Sequence, residues 1–206
     1  AQFFTKIFRT YSSVLFCCAA GIIWLCRPVM HIMKSNYYTA WHFVPFLALA
    51  STCSCFNQFL NSVYVVNKKS THSLLTMLAG AVSNCIMNYF FIKWWGPVGA
   101  TYASFLGLGV VFTLRAIDAH NMIGMSIHPA RVLLNFAVLA GEALVLLAEV
   151  PLYGLWTGLI TLGIILYNFA GVWAMARILL PKLLGRRGKA LVKTIDSLLA
   201  PREKQA

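Results

Sequence analysis

Between Asn67 and Arg115 the chain reads NKK, an apolar run from Ser73 to Ile92, the short link KWWGP, and a second apolar run from Val98 to Leu114. Each run approaches the roughly 20 apolar residues that a helix needs to cross a hydrocarbon core about 30 Å thick, and the link is too short to be a domain. The stretch reads as a transmembrane helical hairpin. Lys68 and Lys69 flank one open end and Arg115 the other, which places both open ends on one positively charged side of the membrane.

Composition agrees with that reading. Hydrophobic residues make up 60% and charged residues 11% of the chain, against about 25% charged in an ordinary soluble domain. The expected fold class is therefore all-α, a polytopic membrane helix bundle. A net charge of +12 raises the question of nucleic acid, but the basic residues fall between the apolar runs and in the tail rather than on one face of a soluble module, and no nucleic-acid partner is expected. The first residue is Ala1, and no charged leader, short apolar core and cleavage site follow it. The chain reads as the later part of a longer protein.

Counting outward from the hairpin gives about six spans. AQFFTKIFRTY puts Phe3, Phe4, Ile7, Phe8 and Tyr11 on one helical face, so residues 1–11 are expected to form an interfacial amphipathic segment. A first span runs from Ser12 past the Arg27-Pro28 pair to Met33, and Tyr37, Tyr38 and Trp41 in the following link fit an aromatic belt. The second span runs from Trp41 to Val66, with Pro45 tolerated in its first turns. With the hairpin, residues 12–115 hold four transmembrane helices. Residues 116–131 are expected to be a polar cytoplasmic loop, 132–176 two additional transmembrane helices, and 177–206 a basic cytoplasmic tail.

On this topology fourteen of the seventeen Lys and Arg residues lie on one side, and Arg27, Lys34 and Lys93 on the other. Because cytoplasmic loops carry the Lys/Arg excess, both ends are expected in the cytoplasm. The tail mixes leucines with basic residues, as a segment lying on an anionic leaflet does. Pro181, Gly185 and Gly188 would interrupt a helix there.

Residues able to carry chemistry are few. Cys17, Cys18, Cys26, Cys53, Cys55 and Cys85 all fall inside expected spans, where small polarizable thiols are ordinary packing residues. No Cys/His spacing of the zinc kind occurs, so neither a metal nor a cofactor is expected. The acidic residues are Asp118, Glu142, Glu149, Asp196 and Glu203. They form no placed catalytic constellation, and no enzyme activity is expected. Glu142, in LAGEALVLL, is the one expected within the membrane. It is a candidate for coupling to a proton or cation, or a neutral group hydrogen-bonded to a neighbouring helix.

Uncharged polar residues carry more pattern. Ser51, Ser54, Gln58 and Asn61 recur on one face of the second span with Asn57 beside them, and Gly80, Asn84 and Asn88 on one face of the third. Amides in hydrocarbon need partners, so these stripes either hold helices together or line a wetted pathway. Asn57, Gln58, Asn61, Asn84 and Asn88 are the pathway candidates. Gly99, Ala103 and Gly107 form a small-residue ladder on the fourth span, suited to close helix packing.

The succession NKKSTHSLLTMLAGAVSNCIMNYFFIKWWGPVGATYASFLG resembles the C-terminal lobe of the oligosaccharide flippases, the Wzx-like polysaccharide biosynthesis proteins of the multidrug/oligosaccharidyl-lipid/polysaccharide exporter superfamily. The likeness lies in the basic turn at Lys68 and Lys69, the helix with Asn84 and Asn88, the short turn from Trp94 to Pro97, and the Gly96, Gly99, Ala100 opening of the next helix. CRPVMHIMKSNYYTAWHFVPFLALA resembles the segment joining two helices of that lobe. Trp24 to Arg115 carry the resemblance, and the last two spans share only its hydrophobic outline.

The resemblance implies the C-terminal portion of a two-lobe transporter that moves polyprenyl-diphosphate-linked oligosaccharide from the inner to the outer leaflet of the bacterial cytoplasmic membrane. Its implied partners are membrane lipids, the lipid-linked sugar, a missing N-terminal lobe of the same protein and polysaccharide assembly enzymes. Two alternatives stay open: a cation-coupled drug or small-molecule exporter of the same superfamily, and an integral membrane glycosyltransferase or its scaffold.

Overall fold

The computed structural model describes residues 2–32, 40–149 and 151–199. Six helices account for nearly all of them: α1 (Gln2–Ile32), α2 (Val44–Val66), α3 (Ser70–Trp95), α4 (Pro97–Ile123), α5 (Pro129–Leu147) and α6 (Tyr153–Leu199). There is no strand among the described residues.

Local chemistry sets the turns. The α3–α4 connection is one residue, Gly96, at φ 61° and ψ −147°, a conformation open to glycine and costly for residues with a Cβ. Pro97 then opens α4, where a missing N–H loses no helical bond. Gly124, left-handed at φ 63°, closes α4 with its N–H on the His120 carbonyl at 2.8 Å, and Pro129 opens α5.

Successive helices alternate in direction, so the bundle has two ends. The first gathers the start of α1, the α2–α3 turn and the α4–α5 turn; there the Ser126 N–H donates to the Thr5 hydroxyl at 3.3 Å. The second gathers the end of α1, the Gly96 turn and the α5–α6 turn; there Trp24 Nε1 donates to the Gly154 carbonyl at 3.2 Å.

Helix α2 is the centre of the bundle. Phe56 on it is fully buried and meets Phe8 and Phe16 of α1 and Phe112 of α4, each with ring centroids 5.4 Å away, and Phe136 of α5 at 5.9 Å. Such tilted and edge-on pairs add to the area they bury. The outside is apolar: on α3, Leu74, Leu75, Met77, Leu78, Val82, Ile86 and Phe90 are all exposed. A continuous apolar exterior is untenable in water and suits hydrocarbon. Five helices, α1, α3, α4, α5 and the Tyr153–Lys182 part of α6, are long and apolar enough to cross a membrane. The chain is an integral membrane protein with an all-α polytopic bundle. α2 has the length of a span but is not one of these five; Asn57, Gln58 and Asn61 interrupt its apolar run, and its neighbours bury Asn57.

The structure moves several expected boundaries. Residues 2–11 continue into α1 as one helix, with Phe8 buried and Phe4 and Tyr11 packed on the core, while Phe3 and Ile7 stay exposed. The expected loop 116–131 shrinks to 124–128, because Ala119 and Ile123 pack inward and carry α4 past its polar residues. Trp41 does not join an interfacial belt; it is buried beneath the Arg27 guanidinium, 3.9 Å from its ring centroid. Tyr37, Tyr38 and Lys34 lie outside the described residues.

The tail is helical to Leu199 in spite of Pro181, Gly185 and Gly188. It is not straight. Arg177 Nε and Trp173 Nε1 both donate to Asp196 Oδ1, at 2.8 and 2.9 Å, whereas Arg177 and Asp196 would stand about 28 Å apart along an unbent helix. The chain therefore doubles back between them.

Candidate functional site: polar seams inside the bundle

Three polar assemblies cross the apolar interior. The first joins α2, α3 and α4 around Arg115, whose residue surface is 4% exposed. Its guanidinium donates to the Asn57 carbonyl at 2.6 Å, to the Thr76 hydroxyl at 3.2 Å, and to the Ser73 hydroxyl at 3.2 Å. Ser73 in turn donates to Asn61 Oδ1 at 2.5 Å. The Arg115 guanidinium also lies 5.7 Å from the Tyr64 ring, and the Tyr64 hydroxyl donates to Asp118 at 2.8 Å. A buried cation is tolerable only with such a set of acceptors.

The second joins α1, α5 and α6. Arg131 donates to the Ser13 hydroxyl and to Asn168 Oδ1, both at 3.0 Å. Asn168 donates to Asn135 Oδ1 at 2.7 Å, and Asn135 to the Arg131 carbonyl at 2.9 Å. The α1–α6 crossing is close here: a Cβ on Gly171 would stand 2.2 Å from the Ser13 hydroxyl oxygen.

The third lies toward the second end. Glu142 on α5 has no exposed surface and meets the Thr161 hydroxyl of α6 at 2.8 Å. Nearby, Arg27 is held between the rings of Trp41 and Tyr153, 3.9 and 4.3 Å from their centroids, and is paired with Glu149 at 2.5 Å. The cation–π contacts and the ion pair lock α1 to the α5–α6 turn.

The pathway candidates do not converge on one cavity. Asn57 is buried and donates to the Leu108 carbonyl of α4 at 3.0 Å. Asn84 donates to the Ala103 carbonyl of α4 at 3.2 Å, and Asn88 to Asn84 Oδ1 at 2.7 Å. Asn57 and Asn84 tie helices together, while Asn88 bonds within α3. Gln58 is exposed and Asn61 half-buried, on the outward side of α2 with Ser51 and Ser54. The ladder of Gly99, Ala103 and Gly107 lies against α3, its own hairpin partner. A Cβ on Gly99 would stand 2.1 Å from the Phe91 carbonyl oxygen, and one on Gly107 2.8 Å from Asn84. Gly80 faces back, and a Cβ there would strike Val111 at 1.9 Å.

A cleft of about 1020 Å³ runs between α4 and α5, lined by apolar side chains that include Phe105, Phe112, Met125, Leu133 and Phe136. Among the described residues no three His, Cys, Asp or Glu side chains come together as metal ligands.

By sequence alone Arg115 and Arg131 read only as charges flanking the apolar runs. A signal for the second and third seams was present in the sequence: Arg131, Asn135 and Glu142 on α5, and Thr157, Thr161 and Asn168 on α6, recur at steps of four and seven, which is one helical face each. The partner of Arg115 had no such signal, since Ser73 and Thr76 are unremarkable in a membrane helix.

Fold and seams together define an integral membrane helix bundle held by buried hydrogen-bonded cations. Comparison with protein-family models, curated sequences and solved structures found no match for the chain.

Proposed function

We propose that the chain is the C-terminal part of a flippase that moves polyprenyl-diphosphate-linked oligosaccharide from the inner to the outer leaflet. On this reading it works in the bacterial cytoplasmic membrane, with both ends cytoplasmic, as a transporter rather than an enzyme. The observation that supports it most is the hairpin: the stretch that resembles the flippase lobe folds as α3, a one-residue turn and α4, with Asn84 seated on the Gly/Ala ladder. A hydrated head group needs a polar route, and Gln58 and Asn61 on the open side of α2 are the amides available to line it. The isoprenoid tail needs an apolar surface, and the α4–α5 cleft offers one.

Export of polymer is measured in cells lacking their own flippase and carrying the full-length parent, beside the level of membrane protein. Gln58→Leu is expected to abolish export at normal protein level, because Leu suits a membrane helix but offers nothing to sugar hydroxyls; Asn61→Leu, which also takes the acceptor from Ser73, is expected to abolish export with a partial loss of protein. Asn84→Leu is expected to lower protein level and export together. Unchanged export in both Gln58→Leu and Asn61→Leu would remove the pathway role. Sugar transfer by the purified parent would replace transport with a glycosyltransferase.

A second reading, a cation-coupled exporter of the same superfamily, is favoured by one feature, the fully buried Glu142. Loss of drug resistance rather than of polymer in the parent's absence would select it.

A further inference from the structure

Glu142 is buried on all sides between α5, α6 and α1, and its two oxygens are in different positions. Oε1 lies 2.8 Å from the Thr161 hydroxyl oxygen, while Oε2 is out of contact with solvent and has no hydrogen-bond partner. The Thr161 hydroxyl oxygen is also 2.9 Å from the Thr157 carbonyl. A hydroxyl has one hydrogen to give, and a carbonyl can only accept. Both contacts are satisfied together when Thr161 donates to Thr157 and accepts from Glu142, and that requires a proton on Glu142 Oε1. If instead the carboxyl were ionised, Thr161 could serve Oε1, but Oε2 would be a buried charged oxygen without a donor, which is the expensive arrangement.

The surrounding groups do not supply a counter-charge. On α1, Cys26 is buried and within electrostatic range of Glu142. Arg27, the next residue, is committed to Glu149, Trp41 and Tyr153. On α6, Thr157 and Thr161 do not titrate, and Tyr153 packs on Arg27. On α5 itself the other charged residue is Arg131, about three turns back, and Glu149 follows in the α5–α6 turn, paired with Arg27.

We propose that Glu142, Thr161 and Thr157 form a proton-binding site at the α1–α5–α6 contact, loaded while the contact is closed and emptied when it opens to water. The step is a plain dissociation: the O–H bond of Glu142 breaks, its proton passes to an entering water to give hydronium, and the electron pair stays on the carboxylate, which the water solvates. The site does not depend on which cargo the protein carries.

Carbon-13 at the glutamate side-chain carboxyl makes this visible, because the chain has three glutamates, Glu142, Glu149 and Glu203. Nuclear magnetic resonance of the labelled chain in lipid nanodiscs at neutral pH is expected to show one signal at the protonated-acid position and the others as carboxylates. Glu142→Gln should remove that signal. Should that variant fail to fold, Glu149→Asp, which keeps a carboxylate for Arg27, and Glu203→Gln assign the remaining glutamate resonance. A carboxylate signal for Glu142 at neutral pH would overturn the proposal.

Coupling to opening is read separately, with Cys26 as the sole cysteine retained. Its alkylation by a water-soluble maleimide should rise with pH more steeply than in the same chain carrying Glu142→Gln. Equal rises would show that loss of the proton does not open the contact.

Discussion

Arg115 shows how one side chain acquires a role that its position along the chain conceals. It ends the second apolar run, where an arginine ordinarily reaches for head groups. Here it turns inward and spends its donors on Asn57, Ser73 and Thr76, which belong to two other helices. Replacing it by Leu removes the three hydrogen bonds that tie α4 to α2 and α3, and a hydrogen bond to a charged group contributes about 1.5–3 kcal/mol. Arg115→Leu is therefore expected to lower thermal stability in detergent markedly, and Arg115→Lys to recover only part of it, because an ammonium lacks the planar fork that reaches several acceptors at once. Melting curves equal to the wild type for Arg115→Leu would show the network to be dispensable. Arg131 makes the same kind of knot at the α1–α5–α6 contact, with Ser13 and Asn168 as acceptors.

At the scale of elements, the α3–α4 hairpin and the α2-centred core are held by different physics. Around Phe56 the cohesion is aromatic packing between large rings. Between α3 and α4 it is backbone proximity: Gly80, Gly99 and Gly107 leave no room for even a Cβ. Lipid tails are as apolar as leucine, so close van der Waals contact and amide hydrogen bonds must supply what hydrophobic burial supplies in water. Gly107→Leu places a branched side chain where Asn84 already sits, and overpacking of this kind costs about 1–3 kcal/mol or more. Gly107→Leu and Gly99→Leu are expected to detach α3 from α4, read as faster proteolysis in the Asn67–Ser70 turn and lower thermal stability. Gly109→Leu is the control, since nothing lies within 4 Å of a Cβ there. Equal behaviour of all three variants would mean that the crossing is not held by the ladder.

For the whole molecule, the distribution of Lys and Arg predicts which end faces which side. The first end carries Lys6, Arg9, Lys68 and Lys69, and the second Lys93 with the paired Arg27. Two of the charges that set this asymmetry, the buried Arg115 and the half-buried Arg131, are hydrogen-bonded to other helices, but the remainder keep its sign, so the Lys/Arg rule predicts a cytoplasmic first end. In a background without its six cysteines, Ser70→Cys should react with an impermeant thiol reagent only from the cytoplasmic side, and Lys93→Cys only from the opposite side. Both positions are exposed. Gly96, although at the turn itself, is unsuitable as the second probe because its φ of 61° would strain any side chain. The reverse labelling pattern would invert the topology.

What the sequence determined by itself is the class of fold and the run of its helices. Long apolar stretches bounded by Gly, Pro and basic residues admit few solutions in hydrocarbon, where each backbone group must be bonded within its own segment, so helix existence is a local matter. The Gly96 turn and the packing role of Gly99, Ala103 and Gly107 were legible for the same reason. Partners across helices are not local. Whether Asn84 would serve a pathway or seat on α4, whether Arg115 would reach outward or inward, and which threonine Glu142 would meet all depend on the rotation and spacing of helices far apart in the chain. The loop expected at 116–131 failed on the same ground: its polar residues share a helix with Ala119 and Ile123, and only the packed core shows that those two hold the segment in the bundle. Tertiary structure decided these points because a helical face has no fixed meaning until another helix lies against it.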